Sequence, residues 1–388
     1  MRLLILSSEF KPGPGGIGTH AYELAWNLVK RGWEIWVITP QDYVSDEEVQ
    51  AFNSHQPFKI VRLLRPSSWA LAKAFYRWRV VERYIQQWQP DVLMATGLAS
   101  VWLMAAMTFW HNLPWVAIGH GKEFGIPQRW SQWLTRWAYG RARGVVCVSQ
   151  YSRQRMLNMG IRPHYQKVIY NGASTDLYYQ LPIETIADWL EQHQLTGKRL
   201  LLSVGSITER KGYDIVIRSM PMILMQGYDV HYLIAGIPLR SEDPAWEAGL
   251  KRLAFDLGVA DRVHFLGRVP DAELVKWYNA CDIAVLTSRH SFDGDFEGYG
   301  IVIVEAALCG KTAVVSSNGG LAEAVLHGET GLCVPEKDPE ATGKAILSLL
   351  SDPLYFATLK SRAQKRASEE QSWASRTSEY VKFIQELL

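Results

Sequence analysis

Glu297-Gly298-Tyr299-Gly300-Ile301-Val302-Ile303-Val304-Glu305 decides how the rest of this 388-residue chain is read. Two carboxylates sit eight residues apart, separated by Gly298, Gly300 and an apolar run. The glycines allow a sharp turn and a close approach to a ligand, and the apolar run predicts a helix starting near Gly300. Free N–H groups at such a helix start favour an anion, a diphosphate among them. Glu297 then falls in the loop before the helix and Glu305 about one turn inside it, so both can point at one ligand. A carboxylate suits a sugar or ribose because its two oxygens can accept from vicinal hydroxyls. The same spacing also occurs as a solvated loop acid followed by an ordinary helix glutamate. The remainder of the chain has to separate the two readings.

Working outward, the length predicts two domains, each large enough to bury a core. Apolar content of 48% and charged content of 21% are those of an ordinary globular protein. Cys147, Cys281, Cys309 and Cys333 are far apart and set in apolar runs, which predicts reduced core residues and a cytosolic setting. The chain opens directly on a strand-like RLLILSS, so no signal peptide is expected. The longest uncharged apolar stretch, residues 101–110, is about half a membrane span, and no crossing of a bilayer is expected. The net charge of +2 hides an asymmetry: residues 51–170 carry 16 Lys/Arg against 3 Asp/Glu. Twelve of the 16 tryptophans precede residue 138, so the first half is basic and aromatic and the second acidic. Such a split reports on partners rather than on fold.

Short β-branched runs alternate with helical patterns from end to end, the signature of parallel α/β units. Strands are expected at 2–7, 34–39, 58–63, 91–95, 115–119, 145–148 and 167–170. After a lapse at 171–198 a second series follows at 199–204, 230–235, 262–266, 283–287, 312–315 and 331–334. The fold class is therefore α/β, with two Rossmann-like, doubly wound parallel-sheet domains facing across a cleft. The first covers 1–176 and the second 177–371, with a C-terminal helix at 372–388 packing back on the first. Ligands of such folds bind at the carboxyl ends of the strands.

Motifs recur in a fixed order along this framework. They are Gly15-Gly16 after the first strand, His120-Gly121 after the fifth, and Tyr170-Asn171-Gly172 at the crossing. Ser203-Val204-Gly205 and Glu209-Arg210-Lys211-Gly212 follow, then Val263-His264-Phe265-Leu266-Gly267, Cys281-Asp282 and Thr287-Ser288. Residues 297–305 and Gly319-Gly320 with Glu323 close the series. In this order they resemble the retaining glycosyltransferases of the GT-B fold, specifically the group 1 (GT4-like) family that uses nucleotide-sugar donors.

The resemblance implies catalytic roles for Glu297, His120, Arg210 and Lys211. It implies donor contacts from Gly15, Gly16, Gly205, Arg210, Lys211, Arg268, Val269, Glu297, Tyr299, Gly300, Ile301 and Glu305. Glu297 would contact the transferred sugar and Glu305 the ribose, while Gly267-Arg268-Val269 frames the base. With an internal, front-side return, Glu297 orients the sugar and stabilises charge rather than attacking. Arg210 and Lys211 at a strand's carboxyl end can neutralise a pyrophosphate as the bond to it breaks. As a bare helix start they would oppose the helix dipole, which favours a bound anion there. His120, on a glycine turn at a strand end, can hydrogen-bond a sugar hydroxyl; Glu123 would meet the acceptor or pair with Lys122.

Gly13-Pro14-Gly15-Gly16-Ile17-Gly18 satisfies GxGxxG, but it begins about five residues after its strand, where a dinucleotide fingerprint needs an immediate turn. Asp293-Gly294-Asp295 is a literal DxD of the kind that holds Mn²⁺ or Mg²⁺. Because Arg210 and Lys211 fill the diphosphate role, no metal and no cofactor are expected, the nucleotide sugar being a substrate. The enlarged loop around it is expected to shape the acceptor mouth. Residues 62–88 and 128–143 interleave Arg/Lys with Trp, Tyr and Phe, as interfacial helices on an anionic membrane do. The same pattern fits a buried aromatic face with a solvated cationic one; for nucleic acid no recognised module is present. The functional expectation is a metal-independent hexosyltransferase passing sugar from a UDP- or GDP-sugar to a glycan or lipid-linked acceptor in polysaccharide or glycoconjugate biosynthesis. It would be cytoplasmic and peripheral at the inner face of the plasma membrane. A sugar-nucleotide 2-epimerase and a non-catalytic nucleotide-sugar-binding protein are the alternatives.

Overall fold

A computed structural model describes residues 1–13, 15–40, 45–63, 70–238, 243–291 and 294–388. The chain divides into two compact units, Met1–Asn171 with Trp373–Leu388, and Gly172–Ser372. Pro14, Asp293 and residues 64–69 of the first basic stretch lie outside the described residues.

The first unit holds a seven-stranded sheet of β1 (Arg2–Ser7), β2 (Glu34–Pro40), β3 (Lys59–Leu63), β4 (Val92–Thr96), β5 (Trp115–Gly119), β6 (Gly144–Cys147) and β7 (Tyr165–Val168). Its order is β3-β2-β1-β4-β5-β6-β7, and all the pairs are parallel. Both faces are covered, which is why the central strands β1, β4, β5 and β6 read as near-continuous apolar runs, whereas the edge strands β3 and β7 carry charged residues. Leu3 and Ile5 of β1 face a core that includes Leu24 and Leu28 of the helix Gly16–Val29, together with Trp373, Tyr380, Phe383, Ile384 and Leu387 of the C-terminal helix Trp373–Leu387. Leu4 and Leu6 face the other core, with Val81, Met104 and Tyr139 from the helices Ala70–Trp88, Leu98–Met107 and Arg129–Arg141.

The second unit holds a six-stranded sheet of β8 (Arg199–Val204), β9 (Val230–Ala235), β10 (Val263–Gly267), β11 (Ile283–Leu286), β12 (Thr312–Ser316) and β13 (Gly331–Val334), ordered β10-β9-β8-β11-β12-β13. It too is parallel throughout. In each sheet the order reverses beside the first strand of the series, β1 or β8, where doubly wound sheets open a crevice at the carboxyl ends. The strands match those expected, with β7 starting two residues earlier. Among the described residues no helix is long and apolar enough to cross a membrane. All four cysteines are free; Cys147, Cys281 and Cys309 are buried and Cys333 is partly exposed.

Candidate active site

In the second unit, the carboxyl ends of β8, β9 and β10 carry Gly205, Gly236 and Gly267 side by side. The Gly205 N–H donates to the Ala235 carbonyl at 2.9 Å and the Gly236 N–H to the Gly267 carbonyl at 2.9 Å. Arg268, exposed, and Val269, partly exposed, continue from β10 at the same end of the sheet. A Cβ on Gly205 would lie 3.2 Å from Lys211 Cε, so glycine here leaves room for the lysine.

After β8 the chain forms a short 3₁₀ turn, Glu209–Lys211, and Gly212 takes a left-handed conformation (φ 69°) before the helix Tyr213–Met225. Glycine is required at 212 twice over, because a Cβ would sit 2.0 Å from the Thr287 carbonyl oxygen. Arg289 braces the turn from outside. Its N–H donates to the Arg210 carbonyl at 2.8 Å and its Nε to the Glu209 carbonyl at 2.9 Å. Its Nη1 lies 3.1 Å from Asp214, so this buried guanidinium is compensated.

The braced turn directs both cations at one carboxylate. Glu297 Oε2 accepts from Arg210 Nη1 at 2.8 Å, from Lys211 Nζ at 2.7 Å and from Ser288 Oγ at 3.4 Å. Asp295 adds a second negative charge, 3.6 Å from Arg210 Nε. Burial alone would raise the Glu297 carboxyl; the Lys211 and Arg210 charges outweigh it and hold the group at about 2. Burial pulls Arg210 down, yet Glu297 and Asp295 raise it overall. Lys211 is lowered, by burial first and by the neighbouring Arg210 against the pull of Glu297. The four side chains sum to zero charge inside a largely desolvated pocket. A carboxylate with so little basicity is a poor nucleophile and a poor base, and a good fixed counter-charge.

Gly300 (φ 85°) caps the helix Ile301–Leu308 in the left-handed region. Glu305 lies one turn in and is buried, its Oε2 accepting from the Tyr278 hydroxyl at 2.7 Å. The two glutamates therefore have different partners within the chain. The Tyr299 side chain is 1% exposed, and its hydroxyl accepts from Gln371 Nε2 at 2.8 Å. Asp295, half of the literal DxD, turns to Arg210.

Gly15, Gly16 and His120 belong to the first unit. Gly16 opens the helix Gly16–Val29, is exposed, and a Cβ there would meet nothing in the chain. One turn later His20 is buried edge-on against His120, with ring centroids 5.0 Å apart, and bonds Tyr380 Oη at 2.8 Å. His120 Nε2 meets Thr96 Oγ1 at 2.7 Å, and burial lowers the ring to about 4, so it is neutral near pH 7. Glu123 does not face solvent. It is buried, accepts from the His120 N–H and the Tyr139 hydroxyl, each at 2.8 Å, and so fixes the His120 turn. Burial raises its carboxyl despite those hydrogen bonds.

The sequence offered Asp295 only as half of a metal-binding motif and did not single out Arg289, Tyr278 or His20, whose partners lie a whole strand–helix unit or more away.

Residues 14–177 match the model of Glycosyltransferase Family 4, and residues 186–369 that of Glycosyl transferases group 1. The GDP-mannose-dependent alpha-(1-6)-phosphatidylinositol monomannoside mannosyltransferase of Mycolicibacterium smegmatis is 28% identical over 391 residues, covering 98% of each chain. The lipopolysaccharide core biosynthesis mannosyltransferase LpcC of Rhizobium leguminosarum bv. viciae is 32% identical over 220 residues, covering 56% of this chain and 57% of LpcC. The crystal structure of Anabaena Alr3699/HepE in complex with UDP and glucose aligns over 100% of both chains with a TM-score of 0.85 at 22% identity, a likeness of fold. With family models matched in both halves, relatives along the full length and a shared GT-B fold, the chain belongs to the GT4-like group 1 glycosyltransferases.

Proposed function

We propose that this glycosyltransferase moves a hexosyl unit, with retention and without a metal, from a nucleotide diphosphate sugar to a glycan or lipid-linked acceptor. The observation that carries this reading is the largely desolvated Arg210–Lys211–Glu297 cluster at the carboxyl end of β8. Two cations held 2.8 and 2.7 Å from one carboxylate are preorganised to take up diphosphate charge as it leaves, at no reorganisation cost. Glu297 orients the sugar and offsets its developing positive charge; its depressed basicity argues against attack. The start of the helix Ile301–Leu308 offers N–H groups to the phosphates, Glu305 takes the ribose, and Gly267-Arg268-Val269 frames the base. Gly15 and Gly16 let phosphate and acceptor approach closely, and neutral His120 hydrogen-bonds a sugar hydroxyl. The Mycolicibacterium smegmatis relative, named for GDP-mannose, makes GDP-mannose one candidate donor, with a UDP-hexose the other. Melting the protein with UDP-, GDP- and ADP-sugars tests the donor, since only a true donor stabilises the native state appreciably. Product anomeric configuration tests retention, and transfer unaffected by Lys211→Ala would defeat the site.

We infer that the acceptor is met at an anionic membrane surface. Aromatic rings join across three helices of the first unit: Trp78 with Trp110 at 4.7 Å, Phe109 with Trp137 at 6.0 Å, and Trp102 with Trp130 at 5.9 Å. Trp110, Trp130 and Trp133 are each 65% exposed, and Arg141 lies 4.0 Å over Phe109. Indole rings beside arginines suit a headgroup interface. Sedimentation with phosphatidylglycerol vesicles at low salt should bind the protein, and Trp130→Ser with Trp133→Ser should release it. Absence of binding at low salt removes the claim.

A further inference from the structure

The backbone of Glu297 is gripped from a direction the reaction does not require. Its N–H donates to Asn318 Oδ1 at 2.9 Å, and its carbonyl accepts from the Gly320 N–H at 2.9 Å. Asn318 is wholly buried, so its amide direction matters. With Oδ1 facing the Glu297 N–H, the Asn318 NH₂ group must find an acceptor elsewhere. It finds Glu336 Oε1 at 3.0 Å. Glu336 lies two residues beyond β13.

The same Oε1 atom is 2.8 Å from His290 Nδ1, and Glu336 Oε2 accepts from the His290 N–H at 3.0 Å. Asn318 Nδ2 and His290 Nδ1 also lie 3.0 Å apart. Two donors do not bond each other, so the assignment that satisfies every group has both giving to the shared oxygen. Burial opposes ionisation of Glu336, but the hydrogen bonds from the His290 backbone, Asn318 and the His290 ring hold its carboxyl below the usual range. A carboxylate is acceptor-only. It therefore locks the Asn318 amide in one orientation and the start of the enlarged loop, at His290, in one place. Glutamine at 336 has one acceptor oxygen in place of two: with its NH₂ toward Asn318 two NH₂ groups face each other, and with its NH₂ toward the His290 N–H the loop anchor is lost. In the first arrangement Asn318 regains an acceptor only by turning its amide, which sets NH₂ against the Glu297 N–H.

We propose that Glu336 is a positioning residue: through Asn318 it sets the Glu297 peptide and so aims the carboxylate that meets the transferred sugar. This rests on the role given to Glu297 above. Misplacing a reacting group by about an ångström costs up to about 100-fold, and a turned amide is a smaller disturbance. Glu336→Gln should therefore lower kcat about 10-fold. Donor KM and the Kd for the bare nucleoside diphosphate should stay within about twofold, because Arg210 and Lys211 are untouched.

The decisive comparison uses Glu297→Gln as background in the full chain. If Glu336 acts through Glu297, Glu336→Gln leaves the residual rate of that variant unchanged; an equal fold-loss in both backgrounds overturns the proposal. A readout free of catalysis separates this inference from the functional reading. Amide exchange followed by mass spectrometry on peptides spanning residues 294–300 should accelerate about 10-fold in Glu336→Gln. Unchanged exchange sinks the relay even in an active enzyme, whereas faster exchange in a protein that transfers no sugar would leave the relay standing and the function refuted. His290→Ala keeps the Glu336–Asn318 bond and should leave that exchange within about twofold of wild type. Acceleration equal to that of Glu336→Gln would place the constraint in the loop anchor and overturn the role of Asn318.

Discussion

Glu297→Gln is the most searching perturbation, because it separates two roles that one carboxylate combines. Glu297 and Asp295 together offset the charges of Arg210 and Lys211, which brings the four-residue cluster to zero charge. The side chains are 10–21% exposed, so little water is at hand to replace a lost partner. Glutamine leaves one positive charge uncompensated. Breaking a buried pair from one side costs about 3–5 kcal/mol, and the residual exposure and Asp295 place this case near about 3. For a unit of about 200 residues, at about 2–4 °C per kcal/mol, its melting transition should fall by about 6–12 °C. A diphosphate brings back the missing negative charge. The variant should consequently bind UDP or GDP more tightly than wild type, by about tenfold if about 1.4 kcal/mol of the uncompensated charge is relieved, and saturating diphosphate should narrow the melting gap. Transfer should nonetheless drop by about 100-fold, as when a preorganised charge-stabilising group is lost. Calorimetric titration and scanning measure both quantities on one preparation. A variant that melts within about 2 °C of wild type and binds diphosphate more weakly would refute the reasoning about both the cluster and its ligand.

Two further outcomes follow from the geometry. Burial keeps His120 (about 4) and His20 (well below its usual value) neutral in the folded first unit, while the unfolded chain protonates both near 6.5. The unfolded state then binds more protons as pH falls, so stability declines from about pH 6.5 downward; for His120 alone the loss is about 2 kcal/mol by pH 5, and His20 adds to it. Urea midpoints measured from pH 7.5 to pH 5 should fall, and a flat profile would contradict the burial of the pair. Gly212→Ala forces a Cβ to within 2.0 Å of the Thr287 carbonyl in a left-handed residue, which should cost about 2–4 kcal/mol and weaken diphosphate binding. Unaltered melting would mean that the turn carrying Arg210 and Lys211 is held less tightly than its contacts indicate.

Much of the fold was legible because parallel sheets buried on both faces demand continuous apolar strands, and those runs stand out in the sequence. The turn glycines were equally visible, since Gly212 and Gly300 take conformations that side chains avoid. The pairing of Arg210 and Lys211 with a ligand was inferred from charge next to a helix start. The burial of Glu123 with its bond from Tyr139, and the bond from Gln371 to the Tyr299 hydroxyl 72 residues away, could not be read locally, since packing alone brings those groups together.

By itself the sequence determined the succession of strands along the chain, the two Rossmann-like halves and the residue types at the strand ends, because propensity, periodicity and glycine conformation are local properties. Tertiary structure alone decided which charges neutralise one another. That Glu297 is shared by two cations, that Arg289 braces their turn and that Glu336 governs Asn318 depend on elements that meet only after the sheets have assembled. Hydrogen-bond geometry is exact to tenths of an ångström and sequence separation says nothing about it.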